Sequence, residues 1–138
     1  LFEEMEVTPN ITQVGQLLHY QAESIDIFVG DIFDLNAELL GPVQAIYDRG
    51  ALVALPEGIR QRYVSHLLLI SDAAPQLLIT YQYNQQRLAG PPFALGENLL
   101  SEYYMAHYQL SCMGSRAVVD SFNGNVPAKE SAWLLRKR

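Results

Sequence analysis

The sequence predicts an α/β domain on a mostly parallel sheet, with an antiparallel pair of strands at its C-terminal edge. Three observations carry that expectation. Short apolar runs alternate with longer amphipathic ones, so strand and helix follow one another along the chain. The run at 76–81 (QLLITY) is apolar nearly throughout, as expected of a strand covered on both faces. After a helical segment at 97–107, two extended segments follow with no helix between them, and strands joined that way pair antiparallel.

In chain order, LFEEME reads as the tail of a helix, with Leu1, Phe2 and Met5 on one face and Glu3, Glu4 and Glu6 beside it. A turn around Pro9 follows. ITQVGQLLHYQAE alternates weakly about Gly15 and fits a hairpin or an extended connection. Ile25, Ile27 and Val29 alternate with Asp26 and Phe28, giving a strand Ile25–Val29 stopped at Gly30-Asp31. Asp34-Leu35-Asn36 opens a helical turn through Leu40 that Gly41-Pro42 ends. Residues 43–47 compose a short buried strand. Pro56 and Glu57 suit the first turn of a helix. Its apolar stripe is Ile59, Tyr63, Leu67 and Ile70, widened by Val64 and Leu68, with Arg60, Arg62 and His66 on the wet face. A stiff Gly90-Pro91-Pro92 loop comes after the 76–81 strand. The closing strands fall at 110–119 and 131–136, separated by a polar turn with Asn123-Gly124.

A chain of 138 residues fits one domain, and 49% hydrophobic against 17% charged residues is enough to fill a core. A formal charge of −6 argues against nucleic acid or an anionic membrane as partner, because both need a basic footprint. The single cysteine, Cys112, excludes an internal disulfide framework and fits a reducing, cytoplasmic compartment; it reads as a small core residue of a late strand. His19, His66 and His107 lack metal-ligand spacing, so no metal site is expected. No apolar run reaches membrane-spanning length, and the acidic start LFEEMEV is not that of a signal peptide. Tyr103, Tyr104 and Tyr108 read as helix packing rather than a stacking platform.

The stretch IYDRGALVALP raises the question of chemistry. An ion placed within apolar sequence must be paired or used, since its desolvation costs several kcal/mol. The Asp48-Arg49 pair is therefore a structural bridge or part of a site. In an open parallel sheet, ligands bind beyond the carboxyl ends of strands. Gly30-Asp31-Ile32, Asp48-Arg49-Gly50 and the loop at 81–93 all stand at such ends.

IYDRGALVALP, IRQRYVSHL, LLITYQYN and AGPPFAL, with VGDIFDL and the opening LFEEMEV…ITQVG…HYQAE in the same order, resemble the thiopurine S-methyltransferase family. The resemblance covers nearly the whole chain and is weakest after Tyr108. It implies a Rossmann-like class I methyltransferase fold and S-adenosyl-L-methionine as cofactor. The acceptor it implies is a small heterocyclic or aromatic thiol; selenium or tellurium oxyanions are an alternative known in bacterial members. By matching position it implies that Arg49 stands beside cofactor and acceptor; the chemistry of the pair adds the expectation that Asp48 helps to hold it. It further implies that Asp31 and Ile32 grip the adenine, and that Pro91, Pro92 and Phe93 border the acceptor pocket. A guanidinium suits that task, because it stays charged at working pH and can stabilise a thiolate.

The resemblance also implies what this chain does not carry: an aromatic N-terminal arm, a strand leading to a glycine-containing cofactor loop, and a strand ending in an acid. Residues 1–138 are accordingly expected to be the C-terminal two-thirds of a single methyltransferase domain, truncated at the N-terminus. Such a piece should bind the cofactor weakly or not at all and could be a non-catalytic remnant, whereas the complete enzyme is expected to be monomeric. Tyr83-Asn84 replaces a commonly acidic position, and Arg116 is a weak candidate for contacting the acceptor.

Overall fold

Turn chemistry decides the topology of the first 41 residues. The computed structural model describes residues 1–118 and 126–138, which divide into two compact units, Leu1–Gly41 and Pro42–Arg138. In the first, Leu1–Val7 form one helical turn, closed where Val7 N donates to Phe2 O (3.0 Å) and Glu6 N to Glu3 O (3.1 Å). Glu6 there is left-handed (φ 56), the arrangement that terminates helices. Strands β1 (Asn10–Val14), β2 (Leu17–Ala22) and β3 (Ile25–Val29) pair antiparallel in that order. Two-residue connections, Gly15-Gln16 and Glu23-Ser24, join them, and a connection that short can only reverse a strand. Gly30 follows with φ +146, where an added Cβ would stand 2.7 Å from Leu17 Cδ2, so only glycine fits. A 3-10 turn (Ile32–Asp34) and the short helix α1 (Ala37–Leu40) complete the unit, the latter capped by Asn36, whose Oδ1 accepts from Leu39 N at 2.8 Å.

In the second unit, β4 (Ile46–Arg49), a 3-10 turn (Leu52–Ala54), α2 (Glu57–Ser71) and β5 (Gln76–Tyr83) make a β-α-β crossover. Helix α3 (Glu97–Tyr104) and strands β6 (Tyr108–Ala117) and β7 (Ala128–Lys137) follow. The sheet order is β4-β5-β7-β6. Leu52, Val64, Leu78, Leu100 and Leu135 form its core, each at most 2% exposed. Two buried side-chain hydrogen bonds tie its layers: Trp133 Nε1 donates to Thr80 Oγ1 (3.0 Å) and Tyr108 Oη to Ala74 O (2.7 Å).

Several expectations hold. Strand Ile25–Val29, the Asn36-capped turn ending at Gly41, the helix beginning at Pro56-Glu57 and the antiparallel C-terminal pair are all present. The mostly parallel sheet is not. Among the described strands only β4 and β5 pair in parallel; β5–β7, β6–β7 and all of β1–β3 are antiparallel. The reason is the connections, since a helical crossover of parallel sense joins only β4 to β5. The strand expected at 43–47 lies at Ile46–Arg49, so Asp48 and Arg49 belong to the strand itself. Arg60 is buried at 6% exposure rather than on the wet face. Cys112 is exposed, because β6 is the edge strand and buries little beyond Tyr108. The turn at Asn123-Gly124 and the strand end at Val119 lie outside the described residues. Among the described residues no helix is long and apolar enough to cross a membrane.

Candidate active site

Side chains alternate along a strand, so Asp48 and Arg49 leave β4 on opposite faces. They do not hold each other, which corrects the expectation of an Asp48–Arg49 pair. Asp48 turns inward and is 3% exposed. Its Oδ2 accepts from Tyr63 Oη of α2 at 2.8 Å, and its Oδ1 accepts from Ala51 N and Leu52 N at 3.3 Å each. One buried carboxylate thereby fixes the turn after β4 and ties it to α2. Burial, and then the Asp48 charge, push the Tyr63 phenol well above its ordinary range, so it remains a neutral donor. Tyr104 is raised by the same two causes in the same order.

Arg49 turns outward into solvent at the carboxyl end of the parallel pair. Tyr47, two residues earlier on β4, and Tyr81, two residues past Arg49's partner Ile79 on β5, share its face. Side-chain hydrogen bonding to Tyr47, then to Tyr81, raises the Arg49 pKa further, so the guanidinium is held as a cation beside two phenols. Gly50 completes the turn with φ +97, a conformation that L side chains rarely adopt.

The same strand end carries the proline loop. Leu95 N donates to Tyr81 O at 2.9 Å and Phe93 N to Val53 O at 2.7 Å, so residues 93–95 run beside both β5 and the turn after β4. Tyr83 Oη donates to Pro92 O (2.6 Å). Gln85 braces the loop from within: its Nε2 donates to Leu88 O (2.7 Å) and Ala89 O (2.9 Å), and its Oε1 accepts from Ala94 N (2.8 Å). Pro91 is exposed, and Pro92 and Phe93 are half-buried. Behind the loop, a groove of about 380 Å³ is lined by Glu57, Arg60, Gln85, Phe93 and Leu99.

Asp31 and Ile32 belong to the first unit. Asp31 Oδ1 accepts from Phe33 N at 2.9 Å, leaving Oδ2 without a donor among the described residues, and Ile32 is 36% exposed. Arg116 pairs with Glu130 across β6 and β7 at 3.0 Å, a local use of its charge. Among the described residues no group of three or more His, Cys, Asp and Glu is placed to hold a metal ion. The residues that sequence reasoning missed are Tyr47, Tyr63, Tyr81 and Gln85. Tyr47 stands two positions before Arg49, and a period of two would have found it once β4 was placed correctly.

The chain matches the thiopurine S-methyltransferase family model over residues 1–138. It is 43% identical over 137 residues to a thiopurine S-methyltransferase of Teredinibacter turnerae, which covers 99% of this chain and 64% of that protein. It is 45% identical over 132 residues to one of Gluconobacter oxydans (96% and 60%) and 42% identical over 137 residues to one of Xanthobacter autotrophicus (99% and 64%). The chain thus spans about three-fifths of the length of these curated relatives. Arg49 and the GALVALP turn that follows it, the braced proline loop and the β-α-β crossover all lie inside the matched range, and the chain belongs to the thiopurine S-methyltransferase family.

Proposed function

We propose that this chain is part of an S-adenosylmethionine-dependent S-methyltransferase that methylates the sulfur of an aromatic or heterocyclic thiol. The observation that supports it best is Arg49: a solvent-facing cation at a strand's carboxyl end, on the same sheet face as Tyr47 and Tyr81. The family names of the relatives point the same way.

The residues present fit their side of the cofactor. Ile32 offers an exposed apolar surface for a base, and the unengaged Asp31 Oδ2 offers an acceptor for an exocyclic amine. When bound, the cofactor supplies an electrophilic methyl group on a sulfonium. The protein's own contribution is positioning, charge and exclusion of water. Arg49 stabilises the acceptor as a thiolate, with the phenols of Tyr47 and Tyr81 on the same face beside it. Pro91, Pro92 and Phe93 form an apolar wall of low mobility against the ring of the acceptor. Asp48 takes no part in the chemistry; it holds the turn that follows Arg49. An exposed free thiol at Cys112 agrees with a reducing, cytoplasmic setting, and the complete enzyme is proposed to act as a monomer.

The test uses the full gene product, methyl-labelled cofactor and an aromatic thiol. Labelled thioether should form, and Arg49→Ala and Arg49→Lys should each lower turnover at least tenfold, Lys because it lacks the planar fork. Undiminished turnover in both variants contradicts the reading. Preference for selenite or tellurite over the thiol would reassign the acceptor to a soft oxyanion.

A further inference from the structure

Arg60 is a buried cation that neither the family resemblance nor the proposed chemistry uses. At 6% exposure it sits in the first turn of α2, where a positive side chain opposes the helix dipole. Among the described residues it has no carboxylate partner. Its Nε donates to Leu55 O at 2.9 Å, its Nη1 reaches Tyr103 Oη at 3.5 Å, and its guanidinium carbon lies 5.1 Å from the centre of the Phe93 ring. A cation kept in a place this unfavourable needs a reason beyond filling space.

The contacts supply one. Leu55 ends the 3-10 turn that follows Arg49, and Phe93 ends the proline loop. Those two segments are also joined directly, Phe93 N to Val53 O at 2.7 Å. The guanidinium therefore closes a triangle: α2 to the turn after β4 by a hydrogen bond, the turn to the loop by a backbone bond, and the loop to α2 by cation–π stacking. Only a planar guanidinium can donate in its plane from Nε while offering its face to a ring; an ammonium cannot do both.

We infer that Arg60 is a positioning residue that locks the proline loop to the turn following Arg49 and so sets the geometry of the acceptor pocket. This rests on the proposed reading that both segments flank the acceptor. Arg60 touches no reacting atom in that reading; its effect passes through Phe93 and Leu55.

The test measures acceptor KM, cofactor affinity and thermal midpoint in the full gene product for Arg60→Lys, Arg60→Met, Phe93→Leu and Arg60→Met/Phe93→Leu. Acceptor KM should rise about tenfold in each single variant, with cofactor affinity within about twofold of the unsubstituted protein. Lysine should not rescue. The double variant should be little worse than either single one, because both remove the same contact. Phe93→Leu, at a half-buried loop position, keeps the test open should Arg60→Met fold poorly. Unchanged acceptor KM in an active Arg60→Lys and Phe93→Leu overturns the inference. So does a parallel loss of acceptor and cofactor affinity that tracks the thermal midpoint, the signature of a merely structural contact. Absence of methyl transfer in the unsubstituted protein overturns the proposed function instead.

Discussion

Each unit of this chain ends a strand in a carboxylate-capped 3-10 turn, and the two turns are built differently. In Leu1–Gly41, Asp31 is exposed after β3 and accepts one backbone N–H, from Phe33. In Pro42–Arg138, Asp48 is buried in β4 and accepts two backbone N–H groups and the Tyr63 hydroxyl. The surroundings differ in the same sense. Leu17 is the one residue of the first unit that is buried, whereas the second has a core running from Leu52 to Leu135. The first unit holds its shape by ladders, turns and caps; the second adds packed side chains. A turn fixed from beneath by buried contacts can aim a side chain, as β4 aims Arg49, while a turn held by one exposed cap offers an adaptable surface.

The largest expected effect lies in the core. Leu78→Ala, at a fully buried position of β5, should cost about 2–5 kcal/mol in urea unfolding, while Leu18→Ala on β2, 38% exposed, should cost about 0.5 kcal/mol. Equal losses would break the contrast. Next come the two caps. Asp48→Ala should cost about 2–3 kcal/mol, because it strands a buried phenol and two N–H groups, and Asp31→Ala about 1 kcal/mol.

A smaller effect is pH-dependent. Tyr63 has its folded pKa raised above the ordinary phenol value of 10.0, so the folded state keeps a proton that the unfolded state loses. The resulting stability is fully present below pH 10 and is lost as pH rises beyond it. The urea midpoint should therefore fall above pH 10, less steeply in Tyr63→Phe; Tyr104 and Tyr108, raised mainly by burial, keep the slope from vanishing. A Tyr63→Phe variant as steep as the unsubstituted protein would place the alkaline sensitivity elsewhere.

What was legible in the sequence was what local chemistry decides. Helix α2 announced itself through Pro56-Glu57 and the spacing of Tyr63, Leu67 and Ile70; β3 did so through the alternation of Ile25, Ile27 and Val29 and its Gly30 stop. Strand pairing is non-local, and reading ITQVGQLLHYQAE as either a hairpin or an extended connection gave too little weight to two-residue connections that only antiparallel strands can use. Placing β4 three residues early put Asp48 and Arg49 in a loop, where neighbours in sequence can pair. In the strand they diverge, and the buried ion that prompted the search turned out to be the aspartate alone. Arg60 was misread because helical spacing ranks residues by polarity, and a guanidinium stacked beneath Phe93 is polar only at its rim. That Arg49 stands at a strand's carboxyl end was legible; the two tyrosines that hold it were not, since Tyr81 reaches it from the neighbouring strand.

The central claim is a division of labour, with Asp48 serving the fold and Arg49 the charge on the acceptor. The pH dependence of kcat in the full gene product, with a weakly acidic aromatic thiol and saturating S-adenosylmethionine, tests it most directly. If Arg49 stabilises the bound thiolate, the acid limb should lie below the free thiol's pKa and move up by about one pH unit or more in Arg49→Ala, with the thermal midpoint unchanged. An acid limb at the same pH in both proteins would contradict the account.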